Sequence, residues 1–208
     1  MLLGMLHRIP WANREVRNYE WRREPNRGTE LRGKTVGVIG HGNTGTAFTN
    51  CLRGFGCLVL AYDKYKTGFG DAQVEESSLE EIFASADILS LHIPLTDETR
   101  GWITADWLDQ FARPIWLLNL SRGPIVPMAE LAAALERGKV LAAGLDVLEN
   151  EKLATLSPDQ KGQLDRLIAS DRVVFTPHIG GWSHESLARI NAVMVDAVRA
   201  YVSPDSSQ

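Results

Sequence analysis

The chain has 208 residues, 44% of them apolar, and a formal net charge of −4 at pH 7. This is too apolar for disorder, and it is long enough for one sizeable domain with arms. No run of basic residues stands out, which argues against nucleic acid or an anionic membrane surface as partner.

The opening stretch MLLGML is too short to span a membrane. It also lacks the basic lead and small-residue cleavage site of a signal peptide. Leu2, Leu3 and Leu6 suggest the end of a helix, broken at Pro10. An arm rich in Arg and Glu follows, carrying Trp11 and Trp21. Two tryptophans on an arm without a core predict a surface that another element covers, and a homodimer through this arm is expected.

Residues 34–40 read as a buried strand, and residues 44–54 as a helix closed by glycine. Residues 57–63 form the second strand. Ser78 and Glu81 form a capping box for a short helix. Residues 87–94 are the third strand, ended by Pro94. Thr104 starts a helix with Trp107, Leu108 and Phe111. Residues 115–121 are the fourth strand, and 128–137 a helix stopped at Gly138. Residues 140–147 are the fifth strand, 155–170 a polar helical insertion, and 172–178 the sixth strand. From Ser183 to about Val202 runs a closing helix with Leu187, Ile190, Met194 and Val198 on one face. Six alternations with strands apolar on both faces predict a doubly wound parallel sheet of the α/β class, a Rossmann fold. Ligands then bind where the strands end. The expected division is an end of helix and arm over 1–30, a dinucleotide domain over 31–182, and a closing helix and tail over 183–208. Cys51 and Cys57 have neither metal-ligand nor redox spacing, and read as reduced thiols of a cytoplasmic protein without a metal.

The strand over 34–40 runs into Gly40, Gly42 and Gly45 with the spacing of a dinucleotide fingerprint. Gly40 permits the tight turn, Gly42 lets the backbone approach a pyrophosphate, and Gly45 lets the helix pack close. Free N–H groups around Asn43 and Thr44 favour the phosphates. Asp63 lies 23 residues after Gly40. Its carboxylate suits ribose hydroxyls and repels a 2′-phosphate, so NAD is expected over NADP. FAD shares the fingerprint, but nothing later in the chain supports a flavin.

Three polar clusters fall at later strand ends. They offer Arg122, then Asp146 with Glu151, then His178. Together they supply a fixed cation for a carboxylate, an imidazole that carries a proton near neutral pH, and a carboxylate to pair with it.

At this point the sequence resembles the NAD-binding domain of the D-isomer-specific 2-hydroxyacid dehydrogenases, most of all their D-3-phosphoglycerate dehydrogenase-like members. The resemblance rests on ELRGKTVGVIGHGNTG, YD at 62–63, HIPLT at 92–96, ET at 98–99, SRG at 121–123, GLDV at 144–147 and PHIGGW at 177–182. It implies that Arg122 binds the substrate carboxylate, that His178 is the general acid/base, and that Glu151 pairs with it. It implies that Asp146 contacts the nicotinamide carboxamide and that Ile93, Pro94 and Thr99 pass beside the cofactor. Leu120, Ser121 and Arg122, with His178, Gly180 and Gly181, would wall the nicotinamide. The substrate would be a small 2-hydroxy or 2-keto acid.

Family members are longer, with a second, flavodoxin-like substrate domain built mainly from N-terminal sequence. The resemblance implies that most of that domain is missing here. Lys152 stands where the family often has proline, and Pro127 and Met128 where an acidic helix start is common. A different class also fits: an NAD-binding interaction module without turnover, like the corepressors that resemble this family. The intact Arg122, Glu151 and His178 favour the enzyme.

Overall fold

The structure is a computed structural model that describes residues 1–202; the final six positions of the expected 183–208 segment lie outside the described residues. Seven strands form one sheet: β1 (Thr35–Ile39), β2 (Leu58–Tyr62), β3 (Val74–Glu76), β4 (Ile88–Leu91), β5 (Ile115–Asn119), β6 (Val140–Leu145) and β7 (Val173–Phe175). All pairings are parallel, in the order β3-β2-β1-β4-β5-β6-β7. This is the doubly wound Rossmann arrangement, with order reversing between β1 and β4. Six of these strands coincide with the expected apolar runs. The additional one, β3, has three residues at the sheet edge and buries only Val74.

The central strands are apolar on both faces because helices cover both. Val36, Val38, Ile88, Leu89, Leu91, Ile115 and Leu117 are buried completely or nearly so. The covering helices are α3 (Asn43–Cys51), α4 (Leu79–Ser85), α5 (Ala105–Asp109), α6 (Met128–Glu136) and α7 (Pro158–Ile168). Their starts follow from side chains. Ser78 and Glu81 close the expected capping box on α4, and the Thr104 hydroxyl accepts from the Trp107 N–H at α5. A second box, Ser157 with Gln160, starts α7 later than Thr155. Gly138, at φ 74°, takes the left-handed turn after α6.

Two expectations for the N-terminal segment are corrected. Pro10 does not break a helix. It lies in the first turn of α2 (Ile9–Arg17), where its missing N–H costs nothing, and α1 (Leu2–Leu6) precedes it. Nor does Trp11 lack a core: it is buried within its own chain, as is Leu6 before it. Leu2, Met5 and Leu6 join Val36, Leu118 and Ala142 in one apolar cluster on the sheet. Trp21 remains 80% exposed. The closing helix α8 (His184–Val202) has the expected apolar face, but all of Leu187, Ile190, Met194 and Val198 are exposed.

Candidate active site

Strand register builds the site. Tyr62 pairs with Ile39, Ile39 with Leu91, Leu91 with Asn119, Asn119 with Leu145, and Leu145 with Phe175. The six strands therefore finish level. The residues that follow are Asp63, Gly40, His92, Leu120, Asp146 and Thr176, in one row along the C-terminal edge. Backbone bonds lock it: Gly40 N–H to Tyr62 O, His92 N–H to Ile39 O, Thr176 N–H to Leu145 O, at 2.8 to 3.0 Å.

At the β1 end, Gly40 adopts φ +91°, and a Cβ there would lie 2.5 Å from the His92 carbonyl oxygen. A Cβ on Gly45 would lie 2.0 Å from the Gly40 oxygen. Both glycines are thus required by the turn and by the close approach of α3. Around Gly42 the opposite holds, because a Cβ there would meet nothing within 4 Å. That open space fits a diphosphate. Asn43 and Thr44 are exposed in the first turn of α3, which has no side-chain cap on its N–H groups. Such a terminus attracts anions.

A cleft of about 480 Å³ opens beside this turn. Gly40, Gly42, Asp63, Ile93, Pro94 and Thr99 line it, together with Tyr62, Lys64, Tyr65, His92, Glu98 and Trp102. Lys64 and Tyr65 directly follow Asp63 in sequence and were findable from that neighbourhood; Trp102 carried no signal. Asp63 is fixed by three backbone donors: Tyr65 N–H at 2.9 Å, Lys66 N–H at 3.1 Å and His41 N–H at 2.8 Å. Partial burial pushes its pKa up, but these bonds and the Lys66 charge outweigh it, so the net shift is downward. The group is a carboxylate at neutral pH. The loop carrying Pro94 and Thr99 is closed by the Thr99 hydroxyl, which donates to the Pro94 carbonyl at 2.8 Å. Ile93 N–H donates to the Ser121 hydroxyl at 3.0 Å, joining the β4 and β5 loops.

The remaining expected residues form a second group beyond β5, β6 and β7, outside the cleft lining. Asp146 is buried, and its carboxylate accepts from the Thr176 hydroxyl, Ile179 N–H and Gly180 N–H. This collar shapes the turn that presents His178. His178 itself has φ 56°, a left-handed conformation that costs a non-glycine residue about 1–2 kcal/mol. Its N–H donates to the Asp146 and Thr176 carbonyls at 2.8 and 3.0 Å, which offsets the strain. The imidazole Nδ1 lies 3.0 and 3.1 Å from the two Glu151 carboxylate oxygens. Arg122 is exposed at the end of β5, with Nη1 donating to the Ser121 carbonyl at 2.7 Å. A Cβ on Gly123 would fall 1.9 Å from the Leu148 carbonyl carbon, so the arginine turn and the loop leading to Glu151 touch backbone to backbone. Leu120 packs against the sheet cluster. The Gly181 carbonyl accepts from the Ser186 hydroxyl.

A glycine turn at a helix start, an acid after β2 and a cleft at the switch point define a dinucleotide-binding domain. Residues 1–180 match the profile of the D-isomer specific 2-hydroxyacid dehydrogenase, NAD binding domain. The chain belongs to this family as its NAD-binding domain, and the residues around Gly42 and Asp63 fit that cofactor. It is 37% identical over 201 residues to D-3-phosphoglycerate dehydrogenase of Mycobacterium bovis, covering 96% of this chain and 36% of that protein. It is 35% identical to the D-specific alpha-keto acid dehydrogenase of Enterococcus faecium, over 90% of this chain and 58% of the relative. The solved D-lactate dehydrogenase from Aquifex aeolicus, complexed with NAD and lactic acid, superposes with a TM-score of 0.85 at 30% identity, over 98% of this chain and 64% of that one. The chain thus spans about a third of the phosphoglycerate dehydrogenase relatives and about two thirds of the solved structure. Among the described residues no helix is long and apolar enough to cross a membrane, and no cluster of metal ligands occurs.

Proposed function

We propose that this chain is the cofactor half of an NAD-dependent dehydrogenase that interconverts a D-2-hydroxyacid and its 2-keto acid, with a 3-phosphoglycerate-like substrate. The observation that carries the reading is the His178–Glu151 pair at the sheet edge that also holds the nucleotide turn. NAD supplies or takes the hydride when bound. His178 moves the accompanying proton: with Nδ1 against Glu151, Nε2 is the atom left to serve the substrate oxygen. The exposed Arg122 guanidinium grips the carboxylate and polarises the carbonyl as negative charge develops on its oxygen. Asp146 holds the turn under His178, and its carboxylate would face the carboxamide of the nicotinamide. The substrate preference rests on identity to the phosphoglycerate dehydrogenases. Loss of NADH absorbance with a panel of 2-keto acids, in the protein completed by a substrate domain, tests the reading. No turnover of any of them would sink it.

Asp63 makes NAD the better ligand of the isolated chain, because its carboxylate repels a 2′-phosphate. Calorimetry is expected to give tighter NAD⁺ than NADP⁺ binding, and Asp63→Ser to narrow the gap. Equal affinities in the parent chain would refute this.

We also propose that the chain pairs with a second copy through the N-terminal arm, supported by the exposure of Tyr19 and Trp21. Because α1 belongs to the core, deleting the arm would unfold more than an interface. Trp21→Glu is the cleaner variant, and is expected to turn a sedimenting dimer into a monomer. A parent chain that sediments as a monomer rules the pairing out.

A further inference from the structure

The adenosine end of the cleft has two banks. One is the turn after β2, where Lys64 follows Asp63. The other is the loop after β4, where Glu98 precedes Thr99. A single ion pair joins them across the opening, Lys64 Nζ to Glu98 Oε2 at 2.5 Å. Both side chains line the cleft, and both are more than half exposed, at 53% and 67%. Lys64 also lies over the Tyr65 ring, 5.5 Å from its centroid. The neighbouring cation points elsewhere: Lys66 Nζ donates to the His41 carbonyl at 3.3 Å. Next to the fixed Asp63 carboxylate there is therefore an ammonium on a flexible stem, already committed to a second carboxylate.

We propose that Glu98 is a second determinant of cofactor choice: by holding Lys64 across the cleft, it withholds from a ribose 2′-phosphate the ammonium adjacent to Asp63. The inference rests on the reading that this cleft takes the adenosine half of NAD. Asp63 repels the extra phosphate, and Glu98 both adds negative charge and occupies the cation that could compensate. An exposed pair between long side chains is weak, so its removal leaves folding nearly unaffected while the freed lysine can turn to a dianionic ligand.

Calorimetric titration of the chain with NAD⁺ and NADP⁺ tests this. Glu98→Gln is expected to raise NADP⁺ affinity about fivefold, the scale of one exposed ion pair, and to narrow the preference for NAD⁺. Adding Lys64→Gln to that variant is expected to cancel the gain. Unchanged NADP⁺ affinity in Glu98→Gln, or a gain that survives loss of the lysine, overturns the role of Glu98 while NAD⁺ binding stands. Failure of the parent chain to bind NAD⁺ overturns the reading of the cleft, and this inference with it.

Discussion

On the proposed function, replacing His178 with alanine in the protein completed by a substrate domain is expected to lower turnover about 10²–10⁴-fold, the usual contribution of a positioned general acid or base. Affinity for NADH should fall far less than turnover, since the cleft lined by Gly40, Gly42 and Asp63 does not include His178. The size of the effect follows from how much structure is spent on the position. The backbone is held left-handed at φ 56° by two hydrogen bonds, the turn is collared by a buried carboxylate, and Glu151 sets the ring. Glu151→Gln keeps the bulk and loses the charge, so a smaller fall in rate is expected. Arg122→Lys is expected to be severe as well, because an ammonium cannot reproduce a bidentate guanidinium grip. Measuring kcat and NADH affinity on the same variants separates chemistry from binding. Full turnover in His178→Ala would reassign the proton transfer.

The second large effect is on stability. Lowering the pH from 7 to 4 is expected to cost the fold about 3 kcal/mol through His92 alone, at about 1.36 kcal/mol per pH unit between 6.5 and about 4. The cause is burial, which pushes the imidazole down to about 4, with the nearby His41 adding to it. Nε2 is 2.8 Å from the Ser90 hydroxyl, Nδ1 is buried with no hydrogen-bond partner among the described residues, and the ring packs on Phe48. A proton on this ring has nowhere favourable to go. The unfolded chain takes it up near 6.5 and the folded chain only near 4, so between those values the unfolded state holds more protons. Stability is then complete above about 6.5 and lost as the pH falls to about 4. Urea titration at both pH values, on the parent and His92→Asn, isolates this share from that of His41. An acid loss of the same size in the variant would exclude His92 as its source.

His92 also marks how far sequence reading reaches. Its motif, HIPLT, was legible as part of the cofactor loop, but its burial depends on Phe48 and on the glycine turn closing over it. The main strands and the row they end in were legible, because buried parallel strands are continuous apolar runs and the fingerprint states its own geometry. β3 was not, since three residues with one buried valine carry no period. Pro10 was misread because a proline that ends one helix and a proline in the first turn of another look the same without the next turn's contacts. Trp11 reads as uncovered for the same reason. Conversely, α8 has a face spaced for burial that is exposed among the described residues, so periodicity identified the helix but not its surroundings. Asp63, His178 and Glu151 were readable as types at strand ends. The Asp146 collar and the contact at Gly123 exist only once distant loops meet.

The seating of α1 on the sheet has a consequence for the order in which the molecule assembles. Leu2, Met5 and Leu6 share their cluster with Ala142 of β6. Closing a loop of roughly 140 residues is entropically costly, although the cost grows only with the logarithm of length. Contacts of such separation slow folding. The surface that receives α1 does not exist until β1, β4, β5 and β6 are aligned, because Val36, Ile88, Leu118 and Ala142 come from four different strands. The N-terminal helix thus cannot dock until that face is assembled, and a chain halted before that step would leave the apolar floor beneath α1 open to the first greasy segment it meets.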